Sequence, residues 1–465
     1  MFVLSRIMKI LLIFSVIFLI GFGINPVSAQ TNPGELSSDQ FEDPLDKCQV
    51  CHAEIYEQWD GSMHSVAEID PYYQALFLMA SEETDGLTDT YCSRCHTPIG
   101  LTSGEMPPVD ASNMSEIALK GVQCDFCHSV SGIDGTSNAQ YILTPDGTKR
   151  GPFEDSRSPA HKTEFSELHT KAEFCGMCHD VNHPTNGIPL EATYTEWKNG
   201  PYAAEGIQCQ DCHMTPGITQ YEQNPGKASG IGPNRDHIWT HFGVGGNAFM
   251  TDYLGSDTHR DMAIERLQMA AELEIIPDGK MSPGETLKFW IKVKNVGAGH
   301  YLPTGLTESR QMWIDVQATG ENGQEIFRSG ALDEHGNIDQ ATSIFHTVFG
   351  DADGHHTEKV WEAESILSDH RVPPKGEVTE PFSFKIPEDI ATPITITATL
   401  KYRSAPQEMI DHLFGEGELE VPVINMTQES LILGEKDQST PGFQFTLPVI
   451  LGLILIIYAI KGFKQ

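Results

Sequence analysis

The chain has 465 residues, of which 20% are charged, and its formal net charge at pH 7 is −35. Such acidity excludes nucleic acid and anionic lipid as partners bound through charge, and it favours basic or cationic partners. Roughly 410 residues separate two apolar ends, which is enough for two domains. The ten cysteines all lie before residue 213, so we expect the two domains to differ in chemistry.

The amino-terminal segment has the pattern of a secretory signal. Arg6 and Lys9 form a short basic region, and an apolar run follows over 10–22. The small residues at 27–29 resemble a cleavage site. We therefore predict a signal peptide over 1–29, with an uncleaved membrane anchor as the alternative.

Five short motifs of the form Cys-X-X-Cys-His use every cysteine in the chain. Two thiols three positions apart lie on one face of a helical turn and can add to the two vinyl groups of a haem, while the adjacent histidine supplies the proximal nitrogen to iron. A redox pair needs no such histidine, structural zinc sites combine differently, and disulfides at this spacing are strained. We predict five covalently bound haem c groups.

The predicted thioether cysteines are Cys48, Cys51, Cys92, Cys95, Cys124, Cys127, Cys175, Cys178, Cys209 and Cys212. The predicted proximal ligands are His52, His96, His128, His179 and His213.

The stretch CHAEIYEQWDGSMHS around the first motif contains His64. It resembles the first-haem segment of multihaem cytochromes related to the tetrahaem electron acceptor of hydroxylamine oxidoreductase. In that family the histidine at this position ligates a different, later haem, which the resemblance implies for His64. The resemblance covers 45–425 in patches. Five motifs are one more than the tetrahaem relative has, so the pairing of haems with distal histidines stays open.

Further stretches match patterns of this broad family and imply more distal ligands. SPAHKTEFSELHTKAEFCGMCHDV contains His161, at the usual ligand position, and His169. DHIWTHFGVGGN offers His241, which resembles the family's closing ligand, and His237 as the weaker choice. The stretch around His300, GHYLPTG, recurs in multihaem cytochromes with a carboxy-terminal sandwich. Two other histidines, His183 and His259, are weaker candidates for distal ligands.

The haem half, predicted as a domain over 44–265, shows little periodicity, as expected where haems form the core. We predict a mostly irregular and α-helical multihaem cytochrome c domain. Its clearest helices are expected at 54–63 and 258–272.

The second half, predicted as a domain over 270–425, alternates apolar and polar residues as strands do. Asn322-Gly323 is typical of a hairpin turn. Short strands separated by turn signals indicate an antiparallel, immunoglobulin-like β-sandwich. The expected strands are 271–277, 287–294, 312–318, 325–329, 343–349, 358–366, 377–386, 394–403 and 418–424.

The carboxy-terminal end predicts a membrane anchor. A polar linker is expected over 426–441 and a transmembrane or sorting segment over 442–460, near the shortest length that spans a bilayer. Lys461 and Lys464 favour a cytoplasmic end. Ser439-Thr440-Pro441-Gly442-Phe443 resembles the archaeal PGF sorting signal, which implies an archaeal source and exchange of the tail for a lipid. We expect an exported protein, anchored by its carboxy-terminus at the outer face of the cytoplasmic membrane or the cell surface.

The number of histidines separates two functions, because a haem with histidine on both faces transfers electrons and one with an open face can bind a substrate. The favoured hypothesis is a conduit that passes electrons along five haems between membrane redox partners and external acceptors. Its partners would be cytochromes or membrane electron carriers.

The alternative is an enzyme acting on nitrite or hydroxylamine at one open haem. Pentahaem nitrite reductases usually carry lysine in one motif, whereas all five motifs here end in histidine. A structural or adhesive surface protein would leave the haems without a purpose.

Overall fold

The computed structural model describes residues 30–339 and 341–434. The predicted signal peptide and the predicted transmembrane segment lie outside the described residues, as does the end of the predicted linker. Among the described residues no helix is long and apolar enough to cross a membrane.

The amino-terminal half consists of short helices joined by irregular segments. It begins with a 3-10 turn, Ser38–Gln40, and a π-helical turn, Pro44–Cys48. Further 3-10 turns lie at Ala118–Lys120 and Glu167–Thr170. The α-helices are α1 Ala53–Trp59, α2 Pro71–Glu83, α3 Asp89–His96, α4 Pro98–Thr102, α5 Cys124–Ser129, α6 Ala172–Gly176, α7 Thr193–Lys198, α8 Pro201–Ala204, α9 Gln210–His213, α10 Ala248–Tyr253 and α11 Asp257–Ala270.

Small paired strands brace the segments between these helices. A conventional apolar core also exists here, in which Ile99, Phe126 and Tyr141 pack together, although we expected haems to replace such a core. The strands are β1 Val130–Ile133, β2 Tyr141–Leu143, β3 Thr148–Gly151, β4 Lys162–Phe165, β5 Val181–Asn182, β6 Pro189–Glu191, β7 Gly226–Lys227 and β8 Asn234–Arg235. They pair as β1-β2, β3-β4, β5-β6 and β7-β8.

The carboxy-terminal half is a substantial β-sheet region. Its remaining elements are a 3-10 turn, Val360–Glu362, and α12, Gln407–Phe414. The strands are β9 Ala271–Asp278, β10 Thr286–Asn295, β11 Gln311–Thr319, β12 Glu325–Ser329, β13 Ile344–Phe345, β14 Thr347–Gly350, β15 His356–Thr357, β16 Ser365–Asp369, β17 Glu377–Lys385, β18 Ile394–Arg403 and β19 Ile424–Leu433.

Two antiparallel sheets share one hydrophobic core in this half. The first has the order β17-β10-β9, and the second β12-β11-β18-β19 with β13 beside β11. Ile291 and Val293 of β10 are fully buried with Val316 of β11 and Ile396 of β18. The alternation that predicted these strands thus marks the faces that the two sheets bury against each other.

The structure corrects several predicted boundaries. The last strand is not 418–424 but Ile424–Leu433, which pairs with β18 along its length. The sheet domain therefore extends to residue 433, into the predicted linker 426–441. This strand was missed because it lies at the sheet edge with one face solvated, and its central residues, 427–430, form a polar run.

Three other elements differ from expectation. The predicted strand 358–366 contains the 3-10 turn Val360–Glu362, and β16 begins only at Ser365. Helix α1 ends at Trp59 rather than at residue 63, because Gly61 takes a φ of +83°, outside the helical region. Helix α11 ends at Ala270 and β9 starts at Ala271, so no linker follows residue 265.

Candidate haem-binding site

Each of the five motifs folds as about one helical turn, which directs its two thiols and its histidine to one side. In the motifs of His52, His179 and His213, the histidine N–H donates to the carbonyl of the first cysteine at 2.9 Å. All ten cysteines are free thiols and so remain available for thioether bonds. In chain order the motifs define sites one to five: Cys48–His52, Cys92–His96, Cys124–His128, Cys175–His179 and Cys209–His213.

A cavity of about 1350 Å³ connects the five sites. Its wall carries all ten cysteines and all five motif histidines, and it reaches the β-domain loop that contains His300. Apolar side chains such as Phe77, Leu190 and Ile238 complete the lining. Paired thiols with an adjacent imidazole in a largely apolar space are the donor set of a covalently bound haem. The residues therefore fit haem c.

Each motif histidine is oriented by a hydrogen bond from its Nδ1 atom, which leaves Nε2 free for iron. In four of them the acceptor is a backbone carbonyl. These acceptors are Ala228 for His52, Ala67 for His96, Arg150 for His128 and Val244 for His213, at 2.6 to 3.0 Å. For His179 the acceptor is the carboxylate Oε1 of Glu191, at 3.2 Å.

Four motif histidines face a second histidine ring across the cavity. Two metal–imidazole bonds of about 2 Å, with iron between the rings, separate ring centres by roughly 6 Å. The observed spacing of the four pairs matches this requirement. The pairs and their distances between ring centres are His52–His161 at 6.4 Å, His64–His179 at 6.1 Å, His128–His241 at 6.4 Å and His213–His300 at 6.4 Å.

The distal rings are oriented in the same way as the motif histidines. Nδ1 of His161, of His241 and of His300 donates to a nearby backbone carbonyl at 2.9 to 3.0 Å. Burial lowers the pKa of both His64 and His241 to about 4. These rings are therefore neutral at pH 7, the form that binds a metal.

His64 is positioned by a close approach of Gly243. A Cβ atom on Gly243 would lie 2.9 Å from Nδ1 of His64, and its backbone φ of +55° favours glycine. His64 pairs with a later site, as the family resemblance implied, although its ligand role stays a prediction.

His169 was also predicted as a distal ligand, and the geometry argues against it. Its ring lies 5.7 Å from that of His128, where His241 already provides a facing ring. Nε2 of His169 interacts with the Cys127 carbonyl at 3.0 Å, and its Nδ1 is buried without a partner. His169 therefore packs beside site three, and its Nε2 atom, with which a ligand would bind iron, is engaged by the Cys127 carbonyl.

Site two is built differently from the other four. Among the residues that the structure describes, no second histidine ring faces His96. Instead the ring of Tyr73 stacks on His96, with 3.7 Å between ring centres and 2° between planes. The Tyr73 hydroxyl is buried without a hydrogen-bond partner, and burial raises the pKa of Tyr73 well above its usual value. Site two thus offers a single histidine as a candidate ligand in the described part of the chain.

Contacts between cysteines show how the sites neighbour one another. The Cys48 and Cys124 thiols are in contact, because each shifts the pKa of the other, and this places sites one and three side by side. The same contact joins Cys95 with Cys178, of sites two and four. Adjacent thioether positions imply adjacent haem edges. A third contact, between the cysteines that begin sites four and five, is Cys175 with Cys209.

The loop that carries His300 is fixed to the haem half by Glu196 of α7. One carboxylate oxygen of Glu196 accepts from the Tyr301 N–H at 3.1 Å and from Thr304 Oγ1 at 2.8 Å. The other oxygen forms an ion pair with Arg371, and both of these side chains are buried. The β domain is thus held where His300 can face site five.

Comparison with known proteins gives three similarities. The family described as cytochrome c554 and c-prime matches residues 47–129, which span sites one to three. The cytochrome c nitrite reductase subunit NrfA of Nitratidesulfovibrio vulgaris is 23% identical over 144 residues, 27% of this chain and 26% of that protein. The match thus spans about a quarter of that curated relative. The crystal structure of a penta-haem cytochrome c552 from Thermochromatium tepidum has a TM-score of 0.60 and 18% identity, and covers 86% of this chain and 100% of its own.

The chain has the fold of a multihaem c-type cytochrome. This confirms that the amino-terminal part is cytochrome-like, and the pentahaem neighbour suggests the count of five haems. The resemblance of the chain to the acceptor of hydroxylamine oxidoreductase and to proteins with an archaeal sorting signal stays a prediction.

The remaining candidate histidines have structural partners. Nε2 of His183 interacts with the Trp361 carbonyl at 3.1 Å, and Nε2 of His259 with the Gln58 carbonyl at 2.9 Å. His237 accepts a hydrogen bond from the Asn224 N–H through Nδ1. None of these three rings faces a motif histidine in the described part of the chain.

No sequence signal pointed to two residues of the candidate site, Tyr73 and Glu191. Each contacts a motif histidine, Tyr73 by stacking on His96 and Glu191 by accepting a hydrogen bond from His179, and neither belongs to a recognisable motif. Gly243 lies in the glycine-rich stretch that drew attention to His241, so its glycines could have indicated close packing.

Proposed function

We propose that this cytochrome transfers electrons along five haems, four of them held between two histidines. The observation that carries the proposal is the set of four facing histidine pairs, each at the spacing that iron requires. When bound, haem would supply one-electron chemistry at each site. The protein's part is to hold two facing imidazoles at each of four sites, to line the sites with apolar walls and to bring neighbouring sites into contact.

The order of the sites follows from the cysteine contacts. Site four borders both site two and site five, and site one borders site three. Electrons would pass between such neighbours, and site four would connect two branches. The partners that fit this role are other redox proteins, cytochromes or membrane carriers, with basic surfaces that complement the charge of −35.

Site two supports a second candidate function. Because His96 faces no second histidine among the described residues, iron there would keep a position for a small ligand. Nitrite is the substrate named for the relative from Nitratidesulfovibrio vulgaris, so reduction or oxidation of a small nitrogen compound at site two is the alternative.

Electron paramagnetic resonance of the purified, oxidised protein tests the two candidates together. We expect low-spin signals from four sites and one high-spin signal that changes when nitrite is added, without turnover of nitrite or hydroxylamine in the presence of a reduced dye. Sustained turnover would establish the enzyme instead. Fewer than four low-spin haems would overturn the conduit.

The proposed location is the outer face of the cell membrane, with export directed by 1–29 and anchoring by 442–460. Composition and the order of charges support this proposal. A chain ending at residue 441 should leave the membrane fraction while retaining its haems. Membrane association unchanged by the truncation would contradict the anchor.

A further inference from the structure

Glu191 distinguishes site four from every other site of the chain. Of the nine motif and facing histidines, seven donate from Nδ1 to a backbone carbonyl. His179 alone donates to a carboxylate, the Oε1 atom of Glu191 at 3.2 Å. The difference is chemical, because a carboxylate is a stronger acceptor than a neutral carbonyl.

The local fold holds Glu191 in place. Glu191 ends strand β6 and pairs with Val181 of β5, immediately after the site-four motif. Its Oε1 atom also accepts from Thr193 Oγ1 at 3.4 Å, and Thr193 in turn contacts Thr304 of the β domain at 2.8 Å. The Glu191 side chain is 15% exposed, so little water competes for its oxygens.

A strong acceptor at Nδ1 makes the imidazole more basic and more electron-donating toward a metal at Nε2. Greater donation stabilises the oxidised iron relative to the reduced iron, which lowers the reduction potential. We propose that Glu191 is a positioning residue that makes site four the low-potential site by strengthening His179 as a ligand. This inference rests on the proposed function, since it requires His179 to bind iron.

The place of site four gives this tuning a consequence. Site four lies between sites two and five, as the Cys95–Cys178 and Cys175–Cys209 contacts show. A low-potential site at a junction does not retain an electron, so electrons arriving there move on to site two or to site five. Glu191 would therefore control how electrons are divided between site two and site five.

The test compares Glu191→Gln with a matched control, Glu167→Gln, in the intact five-haem protein. Both variants lose one carboxylate in the neighbourhood of the site-four motif, but Glu167 is exposed and pairs only with Lys171. The midpoint potential of each haem is measured by a redox titration followed by optical and paramagnetic resonance spectra. In Glu191→Gln we expect the reduction equilibrium of one haem to shift at least tenfold toward the reduced form, about 59 mV for one electron. The control should shift every haem by less than threefold.

Two results would overturn the role of Glu191: an equal shift in the control, or a shift spread evenly over all haems. If Glu191→Gln fails to retain five haems by mass, Glu191→Asp replaces it, because the shorter carboxylate lengthens the contact. A smaller rise at the same haem supports the proposal, and no rise opposes it. Spectra of the unaltered protein distinguish a failure of this proposal from a failure of the proposed function. If site four of the unaltered protein is not low-spin, His179 is not an iron ligand and the proposed function fails. If site four is low-spin but the potentials of Glu191→Gln are unchanged, only the role of Glu191 fails.

Discussion

His300 of the β domain faces His213 of site five, with 6.4 Å between the ring centres. The two residues belong to different domains, so the sheet domain contributes to a haem site rather than standing beside it. Replacing His300 with alanine should remove one iron ligand. We expect one new high-spin signal and a fall in the free energy of unfolding of about 1–3 kcal/mol. His335→Ala, an exposed histidine of the same domain, serves as the control, and identical spectra for the two variants would contradict the assignment.

Site three distinguishes between two candidate ligands. His241→Ala should create a high-spin signal, because its Nε2 is free to bind iron while Nδ1 is held by the Trp239 carbonyl. His169→Ala should leave site three low-spin and cost about 1 kcal/mol for the lost hydrogen bond to Cys127. The reverse pattern of spectra would show that His169 is the ligand.

The buried ion pair between Glu196 and Arg371 should contribute to docking of the domains. Glu196→Gln leaves Arg371 without its buried partner, and we expect a loss of about 3 kcal/mol in denaturant unfolding. Glu205→Gln breaks a more exposed pair with Lys375 across the same domains and should cost less than about 1 kcal/mol. Equal losses in the two variants would mean that burial of the first pair has no special effect.

Gly243 should tolerate no side chain. Gly243→Ala adds a Cβ atom 2.9 Å from Nδ1 of His64 at a backbone φ of +55°, so we expect a loss of about 1–3 kcal/mol and an altered signal from site four. Gly245→Ala, where an added Cβ meets nothing within 4 Å, should leave site four unchanged. A normal site-four spectrum in Gly243→Ala would show that His64 has room to move.

Stability should depend on pH through Glu308, a buried carboxyl with an unpartnered oxygen. Burial raises the pKa of Glu308 from 4.5 to about 8, and nearby Glu191 and Glu358 act in the same direction, against Arg310. The folded state then binds the proton more tightly than the unfolded state, so stability falls as the pH rises from 4.5 to 8. Glu308→Gln should remove roughly 3 kcal/mol of this dependence, as measured by denaturant unfolding at pH 5 and pH 8. An unchanged slope would place the dependence elsewhere.

The haem motifs and most strands could be predicted from sequence because both rest on local spacing. Five Cys-X-X-Cys-His segments specify their own helical turns, and alternation marks strands such as Thr286–Asn295 and Ile394–Arg403. Strand Ile424–Leu433 was not predicted because pairing with β18 stabilises it despite the polar run at its centre, 427–430.

The distal side of the sites was less predictable. Which ring faces which motif depends on tertiary contacts, so the local sequence could not decide whether His169 or His241 lies opposite His128. The stacking of Tyr73 on His96 and the contact of Glu191 with His179 have no counterpart in a motif, because each joins segments that only the fold brings together.

The four facing pairs also constrain how the molecule is made. The partners of each pair lie about a hundred residues apart in the chain, and the ring opposite site five comes from the domain that is synthesised last. A motif could receive a haem before the rest of the chain is complete, since its thiols and its proximal histidine are adjacent in the sequence. Its second axial position is filled only after distant segments arrive. Immature chains, and chains broken before the sheet domain, would therefore leave an axial position open at sites where the finished protein provides a second histidine.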